Sequence, residues 1–198
     1  MKEIEQTMAD DQTSVLPYRL KKTVVMVGMM GAGKTAVGRA VAAKLGVPFL
    51  DSDAEIEAAA NLSVPEIFER DGEAFFRKRE SEVIARLLTT THGILSTGGG
   101  AFLAEANRKL ISEKGVSIWL NADLDLLWSR VKHKDSRPLL RTADPKATLS
   151  AIYNDRVPLY RQADLSVTCH PGLTIDAMAD RVIATLASRE DVLERCDD

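Results

Sequence analysis

The chain is poor in the features that mark secreted, zinc-holding or membrane-bound proteins. Two cysteines occur in 198 residues, Cys169 and Cys196, and no C-x-x-C pair. That argues against a disulfide framework and a zinc site and suits a reducing cytoplasm. The three histidines, His92, His133 and His170, share no metal-ligand spacing and read as loop or surface residues. No apolar run approaches the roughly 20 residues of a membrane span. The N-terminal MKEIEQTMADDQTS is acid-rich and lacks an apolar signal core. Basic charge is not in excess either. With a net charge of −3, the chain shows neither a nucleic-acid footprint nor a polybasic membrane segment. There is no internal repeat.

What is present suits a globular protein of one domain, or one domain with a tail, large enough to bury a core without staples. The pattern alternates strands and helices. Strands are expected at 22–28, 47–50, 94–96, 116–120 and 165–168. Helices are expected at 34–45, from Asp53 to about Ala60, from Ser63, from about Glu73 to Leu88, and at 104–114, 123–131, 145–155 and 173–188. Ser63 and Glu66 form a capping-box pattern, with Pro65 in the first turn. This order predicts an α/β fold, a three-layer α/β/α arrangement around a central, largely parallel five-stranded sheet. Residues 1–20 are expected to be a flexible leader, 21–190 a single domain and 191–198 a tail.

The stretch GMMGAGKT, Gly28 to Thr35, fits G-x-x-x-x-G-K-[ST] and lies between the β-branched run Thr23–Val27 and a helical pattern ending at Gly46. A phosphate chain needs many donors at short range. Gly31 and Gly33 allow the backbone to curl its N–H groups around the anion, and the helix that follows adds its positive end. Lys34 supplies a mobile charge for the β/γ-phosphates, and the Thr35 hydroxyl is a hard oxygen ligand suited to Mg²⁺. A plain glycine turn is the alternative, but strand, loop and helix occur in the order a P-loop requires.

Two other elements would share the C-terminal rim of the sheet with this loop. Asp51-Ser52-Asp53 ends the second strand and reads either as a helix cap or as a pair of carboxylates, one serving hydrated Mg²⁺ and one the attacking hydroxyl. Gly98-Gly99-Gly100 follows the third strand, where backbone can approach a ligand closely; a flexible turn is the alternative. Arg77, Arg137 and Arg156 are each as readily surface arginines, and spacing alone does not bring them to the site. Arg137 lies in a charged loop-like segment that reads as a closing lid, its arginine neutralising transition-state charge.

Taken together, GMMGAGKTAVGR (28–39), FLDSD (49–53), SVPEIFERDGEAFFRKRE (63–80), LSTGGGAF (95–102), RPLL (137–140) and RVPLYRQADL (156–165) resemble the shikimate kinase family, from Lys22 to about Ser188. The resemblance implies ATP-dependent phosphorylation of the 3-hydroxyl of shikimate on the chorismate route to aromatic amino acids. It implies that Asp53 orients or deprotonates the attacking hydroxyl, with Lys34 and Arg137 assisting catalysis. It assigns ATP contacts to Gly31, Ala32, Gly33, Lys34, Thr35, Ala36, Arg130 and Arg137, with Pro171 at the adenine pocket. It assigns shikimate contacts to Asp53, Arg77, Gly98, Gly99, Gly100 and Arg156, the arginines suiting a carboxylate. Mg²⁺ would be held by Thr35 and, through water, by Asp51. A cytoplasmic monomer using ATP and shikimate, without nucleic acid or membrane, is expected.

A kinase for another small hydroxy acid such as gluconate would share the P-loop, but does not account for TGGGA together with two carboxylate-suited arginines. The D-G-[FY]-P-R segment of many nucleoside monophosphate kinases is missing. So are the N-K-x-D and D-x-x-G strings of GTP-dependent switches.

Overall fold

The computed structural model describes residues 16–133 and 138–196. Its elements run β1 (Tyr18–Leu20), β2 (Thr23–Val27), α1 (Lys34–Leu45), β3 (Phe49–Asp51), α2 (Ser52–Ala60), α3 (Val64–Thr90), β4 (Ile94–Ser96), α4 (Glu105–Lys114), β5 (Gly115–Asn121), α5 (Leu124–Val131), α6 (Pro145–Tyr160), β6 (Leu165–Thr168), α7 (Ile175–Ala187) and β7 (Leu193–Arg195). Five strands form one sheet in the order β3-β4-β2-β5-β6, and every pairing in it is parallel. All five residues of β2 are buried. A strand covered by helices on both faces needs such a continuous apolar run. Helices α1 and α7 pack on each other, α4 on β5 and on α3, and α5 on α6, giving the three-layer arrangement.

The central strand fixes the site. Because β2 lies between β4 and β5, the loops leaving β2, β3 and β4 emerge side by side at the C-terminal edge. The phosphate loop, Asp51–Asp53 and the glycine run thus converge although they are far apart in sequence.

The two helices expected from Ser63 and from Glu73 are both present: they make up α3 and are separated at Gly72, whose backbone is non-helical (φ 83°, ψ 168°). Only glycine tolerates that backbone at little cost, so the break falls there. The Ser63–Glu66 capping box is formed at the start of α3. Helix α6 continues past Asp155 to Tyr160, so Arg156 lies on the helix rather than after it. Pro158 forfeits one backbone bond there, and Arg161 N–H closes the last turn onto Val157.

A feature that no sequence pattern signalled lies outside the main sheet. Tyr18–Leu20 pairs antiparallel with Leu193–Arg195. Each strand has only three residues, too short for periodicity to register. Leu20 and Leu193 are buried against the main core, and Lys22 bonds Asp191 at 2.7 Å beside the pair.

Candidate active site

The phosphate loop is held open by its glycines. Gly31 (φ 81°) and Gly33 (φ 99°) both have left-handed backbone, and a Cβ on Gly31 would lie 2.7 Å from Val131 Cγ1. Helix α1 begins at Lys34 with no side-chain cap, leaving its first N–H groups to the loop's occupant. Two cations lie against the loop. Lys34 Nζ donates to the carbonyls of Gly28 (2.8 Å) and Met29 (3.1 Å). Arg130 NH1 donates to those of Gly31 (3.1 Å) and Ala32 (3.2 Å). A cavity of about 560 Å³ opens here. Gly31, Ala32, Gly33, Lys34, Thr35, Ala36 and Arg130 line it together with Asp51 and Asp53. Leu173, Thr174, Ile175 and Met178 also line it, whereas Pro171 does not.

A second, smaller cavity of about 210 Å³ adjoins the first. Its polar wall is Asp53, Arg77, Glu80, Gly98, Gly99, Gly100 and Arg156; Met30, Val64, Phe68, Phe76 and Leu139 supply an apolar wall. Asp53, Met30, Gly98 and Gly99 belong to both cavities. The structure therefore brings together Arg77 and Arg156, which sequence spacing could not. Arg137 lies outside the described residues.

Asp51 and Asp53 divide the labour of the D-S-D stretch. Asp51 Oδ1 accepts from the N–H groups of Asp53 (3.0 Å) and Ala54 (3.2 Å), capping α2 while lining the larger cavity. Asp53 sits between the cavities, and its buried Oδ1 has no hydrogen-bond partner among the described residues. Burial raises its pKa to about 6, helped by the charges of Asp51 and Glu57 and opposed by Arg77 and Lys34. Such a carboxylate is ionised at neutral pH yet a better proton acceptor than a solvated aspartate.

Sequence reasoning missed Glu80. It is fully buried, its Oε2 accepts from Arg77 NH1 at 2.7 Å, and its Oε1 has no partner among the described residues. Burial raises its pKa against the pull of the Arg77 charge. The signal was an acid three residues after an arginine on one helix face. It lay in the run RKRESE, which reads as a solvated surface.

The glycine run packs tightly against these side chains. A Cβ on Gly98 would fall 3.1–3.3 Å from Asp53 and Glu80 oxygens, and one on Gly100 would collide with the Arg77 guanidinium. From the other side Tyr160 donates its hydroxyl to the Gly99 carbonyl at 2.6 Å. Its ring is stacked with those of Phe102 and Trp119, at centroid distances of 6.3 and 6.4 Å.

A P-loop closing a parallel strand, beside a small cavity with a carboxylate on the shared wall, defines a nucleotide-dependent small-molecule kinase. The comparisons make this particular. The shikimate kinase family model matches residues 30–187. Shikimate kinase of Ruegeria pomeroyi is 74% identical, over 88% of this chain and 90% of that protein. Shikimate kinase of Cereibacter sphaeroides is 64% identical, over 89% of this chain and 88% of its own. The solved Acinetobacter baumannii shikimate kinase in complex with shikimate superposes with a TM-score of 0.78 at 36% identity, covering 84% of this chain and 93% of that one. This chain belongs to the shikimate kinase family.

Proposed function

We propose that the chain transfers the γ-phosphoryl group of ATP to the 3-hydroxyl of shikimate, giving shikimate 3-phosphate and ADP. One observation carries this reading beyond family membership. Asp53, with its raised pKa and unpartnered oxygen, stands on the wall between the phosphate-loop cavity and a cavity bearing two arginines.

The larger cavity takes ATP. Gly31, Ala32, Gly33 and Ala36 frame the phosphates, Lys34 moves from the loop carbonyls to the phosphate oxygens, and Arg130 flanks the nucleotide. Shikimate occupies the smaller cavity. Its carboxylate lies between Arg77 and Arg156, whose planar guanidiniums suit bidentate pairing, and its ring lies against Phe76 and Met30. Gly98, Gly99 and Gly100 bound it with backbone alone. The hydroxyl facing Asp53 attacks the γ-phosphorus. Its proton passes to the Asp53 carboxylate as the bond to the β,γ-bridging oxygen breaks and ADP leaves. Positioning supplies most of the acceleration, because the phosphoryl group is transferred through a loose transition state. Arg137, outside the described residues, is the lid arginine that neutralises charge there.

The donor set fits Mg²⁺. Among the described residues no group of three or more His, Cys, Asp or Glu could hold a metal. Mg²⁺ in kinases keeps several waters and binds substrate phosphates with few protein ligands. The Thr35 hydroxyl, 3.3 Å from Ser96 Oγ, and the Asp51 carboxylate line the same cavity. Thr35 would ligate the ion directly and Asp51 through water. Bound there, Mg²⁺ neutralises charge on the β- and γ-phosphates.

We place the enzyme in the cytoplasm as a monomer, with the lid about 132–145 and the acceptor-binding helices about 52–90. Among the described residues no helix is long and apolar enough to cross a membrane. The deciding experiment is ADP release by purified protein with Mg-ATP, alone, with shikimate and with gluconate. Release that requires shikimate is expected. Release with gluconate and not shikimate overturns the assignment of the acceptor.

A further inference from the structure

Three consecutive glycines make a poor wall for a binding site, because each peptide between them can rotate at little cost. Something must decide which way those peptides face. At one end Ala101 N–H bonds the Gly98 carbonyl (3.1 Å), closing a turn over the run. That turn leaves the central peptide, Gly99–Gly100, unassigned. The only hydrogen bond to it among the described residues comes from Tyr160, whose hydroxyl donates to the Gly99 carbonyl at 2.6 Å.

Tyr160 is well suited to hold that carbonyl. Its side chain is fully buried between Phe102 and Trp119, so the hydroxyl has a fixed position. It does not line the acceptor cavity, whereas Gly98, Gly99 and Gly100 do. The Gly99 carbonyl is thus held by a group that is not part of the cavity wall. No peptide in the described chain is cis, and in a trans peptide the C=O and N–H point in opposite directions. The Gly100 N–H therefore points away from the Tyr160 hydroxyl, and Gly100 itself lies against the Arg77 guanidinium, which lines the cavity. It forms no hydrogen bond among the described residues. Arg156 lies one turn before Tyr160 on α6, interacts with its hydroxyl and approaches Gly99.

We propose that Tyr160 is a positioning residue for the acceptor. Its hydroxyl locks the Gly99–Gly100 peptide so that the Gly100 N–H, and not the Gly99 carbonyl, faces the bound carboxylate between Arg77 and Arg156. This rests on the shikimate reading above. A flipped peptide would turn a carbonyl oxygen toward an anion and remove a donor, so the lock acts on acceptor binding rather than on ATP or the chemical step.

Tyr160→Phe removes the hydroxyl and keeps the ring in its stack. With wild-type protein active on shikimate, the variant should show a KM for shikimate raised roughly ten-fold, the worth of one lost hydrogen bond to a charged group. The KM for ATP should stay within about two-fold and kcat within about three-fold, since neither the phosphate loop nor Asp53 is touched. A shikimate KM within two-fold of wild type, or an ATP KM rising in step with it, overturns the proposal while leaving the shikimate reading intact. Wild-type protein inactive on shikimate overturns the underlying reading and this proposal with it. Should the variant fail to fold, the wild-type Gly100 amide decides. Its ¹H–¹⁵N resonance should move on titration with shikimate in the absence of ATP, and an unmoved resonance overturns the lock.

Discussion

Arg77 and Glu80, one turn apart on α3, form a 2.7 Å ion pair whose acid is fully buried while its base reaches into the acceptor cavity. The acid holds the base at a fixed angle, and the base keeps a buried charge from standing alone.

Glu80→Ala should therefore weaken acceptor binding although Glu80 carries the wrong charge for a carboxylate. Freed from its anchor, Arg77 samples more rotamers and pairs less readily. A rise of about ten-fold in the shikimate KM is expected, with Glu80→Gln falling between wild type and Ala because the amide oxygen still accepts the Arg77 bond. The reverse variant, Arg77→Ala, leaves Glu80 buried without a counter-charge. It should lower stability by roughly 1–3 kcal/mol in denaturant titration at pH 8, and less at low pH, where Glu80 is protonated.

Asp53→Asn should abolish most turnover. A positioned base is worth about 10²–10⁴ in rate, so kcat should fall by that factor while Mg-ATP binding, measured by calorimetry, changes little. Near-normal turnover would remove Asp53 from the chemical step.

The same residue sets a pH dependence. Burial raises the Asp53 pKa to about 6 in the folded chain, against 3.8 for a solvated aspartate. In activity, kcat/KM for shikimate should decline as pH falls through about 6, as the Asp53 carboxylate becomes protonated. In stability the sign is opposite. Between those two pKa values the folded chain binds the proton more readily than the unfolded chain, so Asp53's contribution is fully present below the lower one and is lost as pH rises through 6. Asp53→Asn should then melt at a higher temperature than wild type at pH 8, with the gap closing near pH 4. A variant less stable than wild type at pH 8 would mean that Asp53 is stabilised by contacts that offset its burial.

Gly100→Ala tests how closely the arginine is fitted. The backbone there (φ −91°) accepts alanine, but the new methyl would collide with the Arg77 guanidinium. Because the guanidinium is the end of a flexible side chain, it should shift rather than unfold the protein. The expected signature is a melting temperature within a few degrees of wild type with a shikimate KM raised several-fold. An unchanged KM would mean that Arg77 has room to retreat without losing its acceptor.

The strands and the phosphate loop were legible in the sequence because each has a periodic or spaced signature: the apolar run Thr23–Val27, the glycines of 28–35, the capping box at Ser63. The D-S-D stretch reads in the sequence either as a helix cap or as paired carboxylates; in the structure Asp51 caps α2, and both Asp51 and Asp53 line the larger cavity. What could not be read depends on contacts between elements distant in sequence. Glu80 looks like one of many surface acids until α3 turns it beneath the glycine run. Tyr160 sits in the family-like stretch RVPLYRQADL, but its target, Gly99, is 61 residues away. The β1–β7 pair joins three-residue segments whose only mark is burial of Leu20 and Leu193.

Among the described residues the two cavities share Met30, Asp53, Gly98 and Gly99, and each has walls of its own elsewhere. A partition this thin commits the enzyme to a ternary complex with direct hand-over. The phosphoryl group never needs a resting place on the protein.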